Sequence, residues 1–558
     1  VEPTAGTLAE TLRTAADEAG RLRAFIDDLD GWDGQDCDTG SNAALTLDAL
    51  ARAVGELEPA DSFESALEVG VDAAVRSGVG HVGVLLGAVL ATWAQALGGA
   101  QSLRPVDVAR MLRANPWECE GVHMDWSLAL ESMFDEGTSE LETLGDTLPD
   151  VGGLVAVFSA QAQYGLVNAT NDSTGRVDAG AAVLALLLAS LDATVRSDHS
   201  MLDSLVHMLA DLAGSPGAAS PRPQVPAPGR AFTVDIVLHG TSEDAASARH
   251  ALAGLGVRHS VVGRADLFGV GEWRLHVDTS APLAVRPRSG TVVRFQVCDA
   301  RPDELIGQDM LSDGVTHRGV RLLERRTLAR VERAMVVACT RAPGLVEDLA
   351  QAGAVTLLDP DPQDTQALVQ AARASTTGVC LVAPCDPASV DLARSVARHL
   401  ELPPTTDEGG GASTAGADPA TTREGVLLRV LVADSCDDLS ALQVAQACGT
   451  FFVPRPGGPG AAGVMEPMLR ESAHRALARS LVATLAVDAQ GGDLSAALQE
   501  ISALPPRRLR LLVSRADGPV LVATLRQMNQ GIDPWTPAPD LEVIDGGQEG
   551  PSLLQGVR

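Results

Sequence analysis

The sequence predicts a multidomain fold: an all-α N-terminal region, then a small α+β domain and an α/β C-terminal domain. Three observations carry this. The chain has 558 residues, and a single domain usually takes about 100–200, so several are expected. Residues 1–213 repeat apolar side chains at helical spacing with little β-branched alternation. Beyond a Pro- and Ala-rich stretch at 214–229, strand-like runs alternate with helical ones, the pattern of a sheet with crossover helices.

In the helical domain, 1–213, one face is formed by Ala44-Leu45, Leu47, Leu50-Ala51 and Val54, another by Leu184, Leu187-Leu188, Leu191 and Val195. The uncharged stretch 77–103 contains His81, Thr92, Gln95, Gln101 and six glycines, which favours a buried core helix over a membrane span. Residues 214–229 read as a stiff linker. A small α+β domain over 230–300 has strands at 232–239 (FTVDIVLH) and 272–277 (EWRLHV), flanking an Ala-rich helix around 245–255. Residues 301–332 are expected to connect the domains as an Arg-rich helix, with Arg318, Arg321, Arg325, Arg326 and Arg330 running on to Arg333.

The C-terminal domain, 333–558, opens RAMVVACT, PGLVEDLAQAG, AVTLLD, DTQALVQAARAS, TGVCLVAPC and PASVDLARSVARHL. Strand and helix alternate there, as in a parallel sheet. A Gly/Thr-rich flexible insertion occupies 403–424, and the Gly- and Pro-rich tail ends in a short strand at 541–544. The sequence shows no repeat of fixed period.

The charge balance narrows the chemistry. There are 73 Asp and Glu against 42 basic residues, a formal charge of −31, and every basic residue is arginine. Without lysine there is no Walker A lysine, no protein-kinase strand lysine and no Schiff-base amine. The acidity also argues against nucleic acid as the main partner. Phosphate handling would fall to metal held by carboxylates. The N-terminus lacks the basic and apolar regions of a signal peptide. The eight cysteines contain no CxxC pair, which reads as buried reduced thiols in a cytoplasmic protein.

The densest functional signal is the run 29–45, LDGWDGQDCDTGSNAAL. Asp30, Asp33, Asp36 and Asp38 crowd a short loop before a helix, where their mutual repulsion calls for a cation. Hard oxygen ligands suit Mg²⁺ or Ca²⁺. Thr39, Gly40, Ser41 and Asn42 follow at the helix start, where phosphate is favoured. EF-hand spacing does not fit. The plainer alternative is an acidic loop of Asx turns with a helix cap.

This run resembles the metal loop of dihydroxyacetone kinase L-subunits and of the catalytic subunit of bacterial fatty acid kinases, a Leu-Asn/Asp…Asp-Gly-Asp-Thr-Gly-Thr-Asn pattern. Leu29-Asp30 and Asp36-Cys37-Asp38-Thr39-Gly40-Ser41-Asn42 match it, with Cys37 in place of a glycine. The resemblance implies that Asp30, Asp36 and Asp38 hold Mg²⁺ ions bridging ATP phosphates, and that the helical domain is a barrel. SGVGHVGVLL at 77–86 resembles the family's Gly-Asn-Ser-Gly-Val-Ile-Leu loop, with Gly80 and Gly83 on its glycines and His81 and Val82 replacing Asn and Ser. Those glycines would admit phosphate to the backbone or simply let helices pack closely.

Val177-Asp178-Ala179-Gly180 resembles a Val-Asp-Ala-Gly-Gly loop before the last long helix, which implies nucleotide contacts by Asp178 and Gly180; alternatively Asp178 only caps that helix. Two segments, at 120–122 and 136–138, compete for the family's Glu-Gly-Thr. Beyond the linker, Leu275-His276-Val277-Asp278-Thr279 resembles a Val-His-Val-His-Thr strand of the fatty acid kinase middle domain. His276 takes the first histidine, which implies a catalytic role; the alternative is a satisfied strand histidine. Asp278 replaces the second histidine and Thr233 a family cysteine, so a Cys–His–His zinc set is incomplete, although Asp278 can ligate metal. The C-terminal domain is similar to the family's DegV-like domain.

The resemblance implies an ATP- and Mg²⁺-dependent kinase acting on the carboxylate of a fatty acid held by a separate DegV-like protein, giving an acyl phosphate. The alternatives are a pseudo-kinase scaffold and a dihydroxyacetone-type kinase. Expected partners are ATP, the fatty-acid-binding protein and a second copy of the chain as a homodimer. No nucleic acid and no membrane span are expected. The Arg clusters at 317–333 and 505–515 would dock an acidic partner or phosphorylated product, or else pair with neighbouring acidic faces.

Overall fold

The computed structural model describes residues 3–29, 38–99, 103–144, 148–173, 175–214, 231–300, 304–305, 315–322, 329–401, 428–454, 460–480, 484–487, 492–502, 506–530 and 539–558. Outside them lie Asp30, Asp33, Asp36 and Cys37, the linker from 215 onward, Arg325 and Arg326, and the insertion 403–424. The chain divides into two compact units. One comprises Val1–Ser280, Pro287–Val292 and Ala300–Ala329, the other Ala281–Arg286, Val293–Asp299 and Arg330–Arg558.

The first unit opens all-helical, with α1 (Ala5–Leu29), α2 (Thr39–Gly55), α3 (Phe63–Ser77), α4 (Gly80–Leu97), α5 (Pro105–Leu112), α6 (Leu128–Thr143), α7 (Val151–Asp172), α8 (Ala179–Arg196) and α9 (Ser200–Gly214). Apolar positions at helical spacing converge in one core that includes Leu8, Leu12, Ile26, Leu47, Leu50, Leu67 and Trp93. Ser62, Ser127, Asp150 and Asp178 each accept a backbone N–H from the first turn of the helix they precede. Helices α4 and α8 are long and apolar enough to cross a membrane, yet 78% of each is buried, so both serve as core helices.

Strand β1 (Val122–His123) interrupts the helices, and a sheet follows: β2 (Phe232–Thr241), α10 (Ser242–Leu255), β3 (Arg258–Ala265) and β4 (Val270–Thr279). The strands are antiparallel in the order β1-β3-β4-β2. Both expected strands are present and longer than their apolar runs. β3 was not expected, because the polar residues of RHSVVGRA mask its alternation. Its register sets Ser260 beside His276 and Arg258 beside Asp278, while β2 sets Asp235 beside His276 and Thr233 beside Asp278. Side chains alternate along a strand, so Arg274, His276 and Asp278 share a face with Asp235, Arg258 and Ser260.

The expected helix over 301–332 is not formed by the described residues. After β5 (Thr291–Asp299) come β6 (Glu304–Leu305), β7 (Val315–His317) and β8 (Val320–Leu322). Arg318 and Gly319 join β7 to β8 with φ of 46° and 79°, the two left-handed positions of a type I′ hairpin turn. Local turn chemistry thus overrides a run of good helix formers. The hairpin docks on α1 and α9. Glu18 of α1 accepts from His317 Nε2 at 2.5 Å and from Arg318 Nη2 at 2.9 Å, Arg318 also reaches Asp203 of α9, and Leu322 enters the helical core.

The second unit holds β9 (Ala329–Arg333), β10 (Met335–Thr340), α11 (Val346–Gln351), β11 (Val355–Leu358), α12 (Thr365–Ala374), β12 (Val379–Ala383), α13 (Pro387–Glu401), β13 (Arg429–Val432) and α14 (Asp438–Cys448). Its main sheet runs β5-β11-β10-β12-β13, parallel except for β5, as the alternating pattern predicts. After β14 (Phe452–Pro454) and α15 (Gly460–Ser480) come β15 (Thr484–Val487), α16 (Gly492–Ser502), β16 (Arg508–Val513), α17 (Gly518–Gln530), β17 (Asp540–Asp545) and β18 (Ser552–Val557). These strands form a second sheet, β15-β18-β16-β17. The expected strand at 541–544 is β17, and β18 follows it. Arg510 is buried against Glu542, Gln443 and Gln446. The Arg clusters therefore pair internally at Arg318 and Arg510. Cys339 and Cys380 are buried free thiols, and burial pushes both up to about 12.

Burial pushes the Glu18 carboxyl up, but the hydrogen bonds and charges of Arg318 and His317 outweigh it and hold the group below 4.5. The depressed value stabilises the fold above pH 4.5 and is lost as pH falls through the folded-state value. Glu18→Gln should therefore cost about 1–3 kcal/mol at pH 7. Urea unfolding of both proteins across the acid range should show that gap narrowing below pH 4.5.

Candidate functional site

The site begins where α1 hands over to α2. Asp38 occupies the cap position of α2, but its side chain does not cap the helix. Asp27, in the last turn of α1, takes that role: its carboxylate accepts from Ser41 N and Ser41 Oγ, both at 2.8 Å. Gly40 permits this approach, because a Cβ there would sit 2.3 Å from the Arg23 carbonyl oxygen. Thr39, Ser41 and Asn42 stay half-buried on the first turn.

The start of α4 lies against this turn. Val79 N donates to Thr46 Oγ1 of α2 at 3.1 Å. Gly80 has φ of +66°, and a Cβ on it would come within 2.6 Å of Asn42 Nδ2. A Cβ on Gly83 would meet the Gly78 backbone at 2.9 Å. Two helix N-termini thus meet with like-signed dipole ends, an arrangement that favours an anion or a metal-bound phosphate. At the start of α8, Asp178 accepts Ala181 N at 2.7 Å, so it caps that helix. A Cβ on Gly180 would meet Leu85 of α4 at 3.6 Å. Val82 is 5% exposed and belongs to the core.

His81, the residue between the α4 glycines, turns toward the sheet. Its Nδ1 pairs with Ser260 Oγ at 2.8 Å and its Nε2 with Asp278 Oδ2 at 3.3 Å. The His81 and His276 rings meet edge to face, with centroids 4.5 Å apart. His276 Nδ1 pairs with Asp235 Oδ1 at 2.9 Å, and its Nε2 lies 3.8 Å from Asp278 Oδ1. Arg274 donates to the same Asp235 oxygen at 2.6 Å, and Arg258 Nη1 stands 3.6 Å from Asp278 Oδ2. Among the described residues, His81, His276 and Asp278 are the one trio of metal-ligand side chains whose ligand atoms lie within 4.8 Å of one another.

Charge is divided unequally over this cluster. Burial, reinforced by His276, pulls His81 down to about 3, so its imidazole is neutral. Burial opposes charge on His276 as well, but Asp235 overcomes it and raises that imidazole. Burial also pushes Asp235 and Asp278 up. Arg274 and His276 win at Asp235, and the His81 hydrogen bond with the charges of His276 and Arg258 wins at Asp278, so both remain carboxylates.

Of the residues expected from sequence, Thr39, Gly40, Ser41, Asn42, Gly80, His81 and Gly83 fall together at the two helix starts, with His276 and Asp278 reaching them through His81. Asp178 and Gly180 stand at the third helix start, and Asp30 and Asp36 lie outside the described residues. Sequence reasoning missed Asp27, Asp235, Ser260 and Arg274. Asp235 left a trace, an acid between Val234 and Ile236 in an otherwise apolar strand. Ser260 left none.

Residues 35–120 match the family model of the DAK2 domain. Domains of this type occur in kinases of the dihydroxyacetone kinase kind, which supports phosphotransferase chemistry in general. Both helix starts, at 39–42 and 80–83, fall inside the matched residues. No curated protein matches the chain.

The glycines supply a direct check on the geometry. Gly40→Ala should destabilise the protein by about 1–3 kcal/mol, because its Cβ meets backbone rather than a movable side chain. Gly463→Ala, on the exposed side of α15 where nothing lies near the added atom, should be neutral or stabilise by up to about 1 kcal/mol. Thermal unfolding of the two variants reads the difference.

Proposed function

We propose that this protein is an ATP- and Mg²⁺-dependent kinase that phosphorylates the carboxylate of a fatty acid held by a separate DegV-like protein. The observation that carries the reading is the meeting of the α2 and α4 N-termini, inside the residues that match a kinase-associated domain. The groups on the first turn of α2 suit the nucleotide: the Thr39 hydroxyl and the Asn42 side-chain amide, both half-buried, with Asp38 beside them. Asp30, Asp36 and Asp38 would hold Mg²⁺, which neutralises phosphate charge.

A fatty acid carboxylate is already ionised at neutral pH. Its oxygen would bond to the γ-phosphorus as the bond to the β-bridging oxygen breaks and ADP leaves with that electron pair. No proton moves, so the chain needs no general base. Its residues would orient the phosphates through the helix N-termini and exclude water.

One observation favours a second reading, a scaffold that retains the fold without turnover. His81 stands where the resembled kinases carry Asn and is engaged by Ser260 and Asp278, and Val82 is buried. The two readings separate in one assay. Full-length protein with Mg²⁺, ATP and a fatty-acid-loaded DegV-like protein should release ADP and form an acyl phosphate trapped by hydroxylamine. Asp36→Asn with Asp38→Asn should lower that rate by at least 100-fold, about 2.7 kcal/mol of transition-state stabilisation. ADP release equal to that of the double variant would sink the kinase reading.

A further inference from the structure

We propose that His81, His276 and Asp278 hold one divalent transition-metal ion, with Asp235 and Ser260 as positioning residues that aim the two imidazoles at it. This is not the set left incomplete by Thr233 and Asp278. It is a set closed from the helical region by His81, whose residue stands almost two hundred positions before its partners in the chain.

The geometry rests on what each ring does with its second nitrogen. A metal-ligating histidine commonly engages its other ring nitrogen with a carboxylate, carbonyl or hydroxyl that fixes tautomer and orientation. Both rings here do so: His81 Nδ1 on Ser260 Oγ at 2.8 Å and His276 Nδ1 on Asp235 Oδ1 at 2.9 Å. Both Nε2 atoms are thereby left facing the Asp278 carboxylate, at 3.3 and 3.8 Å. The support behind Asp235 is itself buried, since Arg274, 2% exposed, donates to Asp235 and to the Val75 carbonyl.

Two nitrogens and one carboxylate oxygen select Zn²⁺ or Co²⁺ over the oxygen-seeking Mg²⁺. Three protein ligands leave a fourth position open for water or a substrate oxygen. Arg258 is the remaining close neighbour of Asp278. Its side chain is 30% exposed, so it can turn to solvent when a cation arrives. Occupancy would tie the start of α4, where Gly80 lies against Asn42, to strand β4.

The test is cobalt titration of the EDTA-stripped full-length chain, read by visible d–d absorption. One equivalent should give the strong absorption of low-coordinate cobalt, distinct from the weak absorption of an all-oxygen carboxylate site. His81→Ala and Asp278→Asn should abolish it, while Asp235→Asn and Ser260→Ala should weaken cobalt affinity by about 10–100-fold. Far-UV circular dichroism checks folding, and Ser260→Ala, which deletes only a hydroxyl, keeps the test decisive if Asp235→Asn does not fold. A wild-type spectrum of the weak kind, or a His81→Ala spectrum like wild type, overturns the metal site. Wild-type affinity in Ser260→Ala and Asp235→Asn overturns the positioning roles. Failure of phosphoryl transfer would leave the cobalt spectrum intact, so the two claims fail separately.

Discussion

A carboxylate buried at the end of one helix holds the beginning of the next, and the site is built on that tie. Asp27 is 4% exposed and spends both oxygens on Ser41. Burying an ionised carboxylate is costly unless its hydrogen bonds are made, so the α2 start is fixed wherever Asp27 is fixed. Asp27 in turn stands on α1, whose apolar face lies in the helical core. With α2 set, Asn42 meets Gly80, Thr46 receives Val79 N, and α4 can begin only there. His81 then follows as the first side chain of α4 able to reach the sheet.

The absence of lysine acquires a physical meaning in this setting. Positive potential at the helix starts comes from helix dipoles rather than from ammonium groups. On the proposed kinase reading, Mg²⁺ held by Asp30, Asp36 and Asp38 would supply the rest. Arginine serves the fold instead. Arg274 and Arg510 are buried with their partners, and Arg318 clamps a hairpin onto Glu18 and Asp203. Buried ion pairs of this sort are weak evidence for stability, since desolvation offsets much of their attraction. Arg274 acts chiefly to keep Asp235 charged and aimed at His276.

Much of the fold was legible because it follows from periodicity. The core helices α2, α4 and α8 are visible in apolar spacing, and the β10 to α13 alternation is visible in runs such as VVAC and LVAP. The hairpin at 315–322 was not, because His317 to Arg333 contains good helix formers and only the Arg318-Gly319 turn reveals the strands. Ser260 and Arg274 were hidden for a related reason: their partners come from strands distant in sequence, and register is set by three-dimensional pairing. The motif residues at 39–42 and 80–83 could be read as one site only through resemblance, since forty residues separate them along the chain.

The claim on which the functional account turns is that the joined starts of α2 and α4 bind Mg·ATP. Hydrogen–deuterium exchange of the full-length protein, with and without Mg·ATP, measures this directly. Saturable protection of backbone amides at 39–46 and 78–84 by Mg·ATP, absent with ATP and EDTA, is the predicted result. Unchanged exchange in both segments at millimolar nucleotide would contradict it.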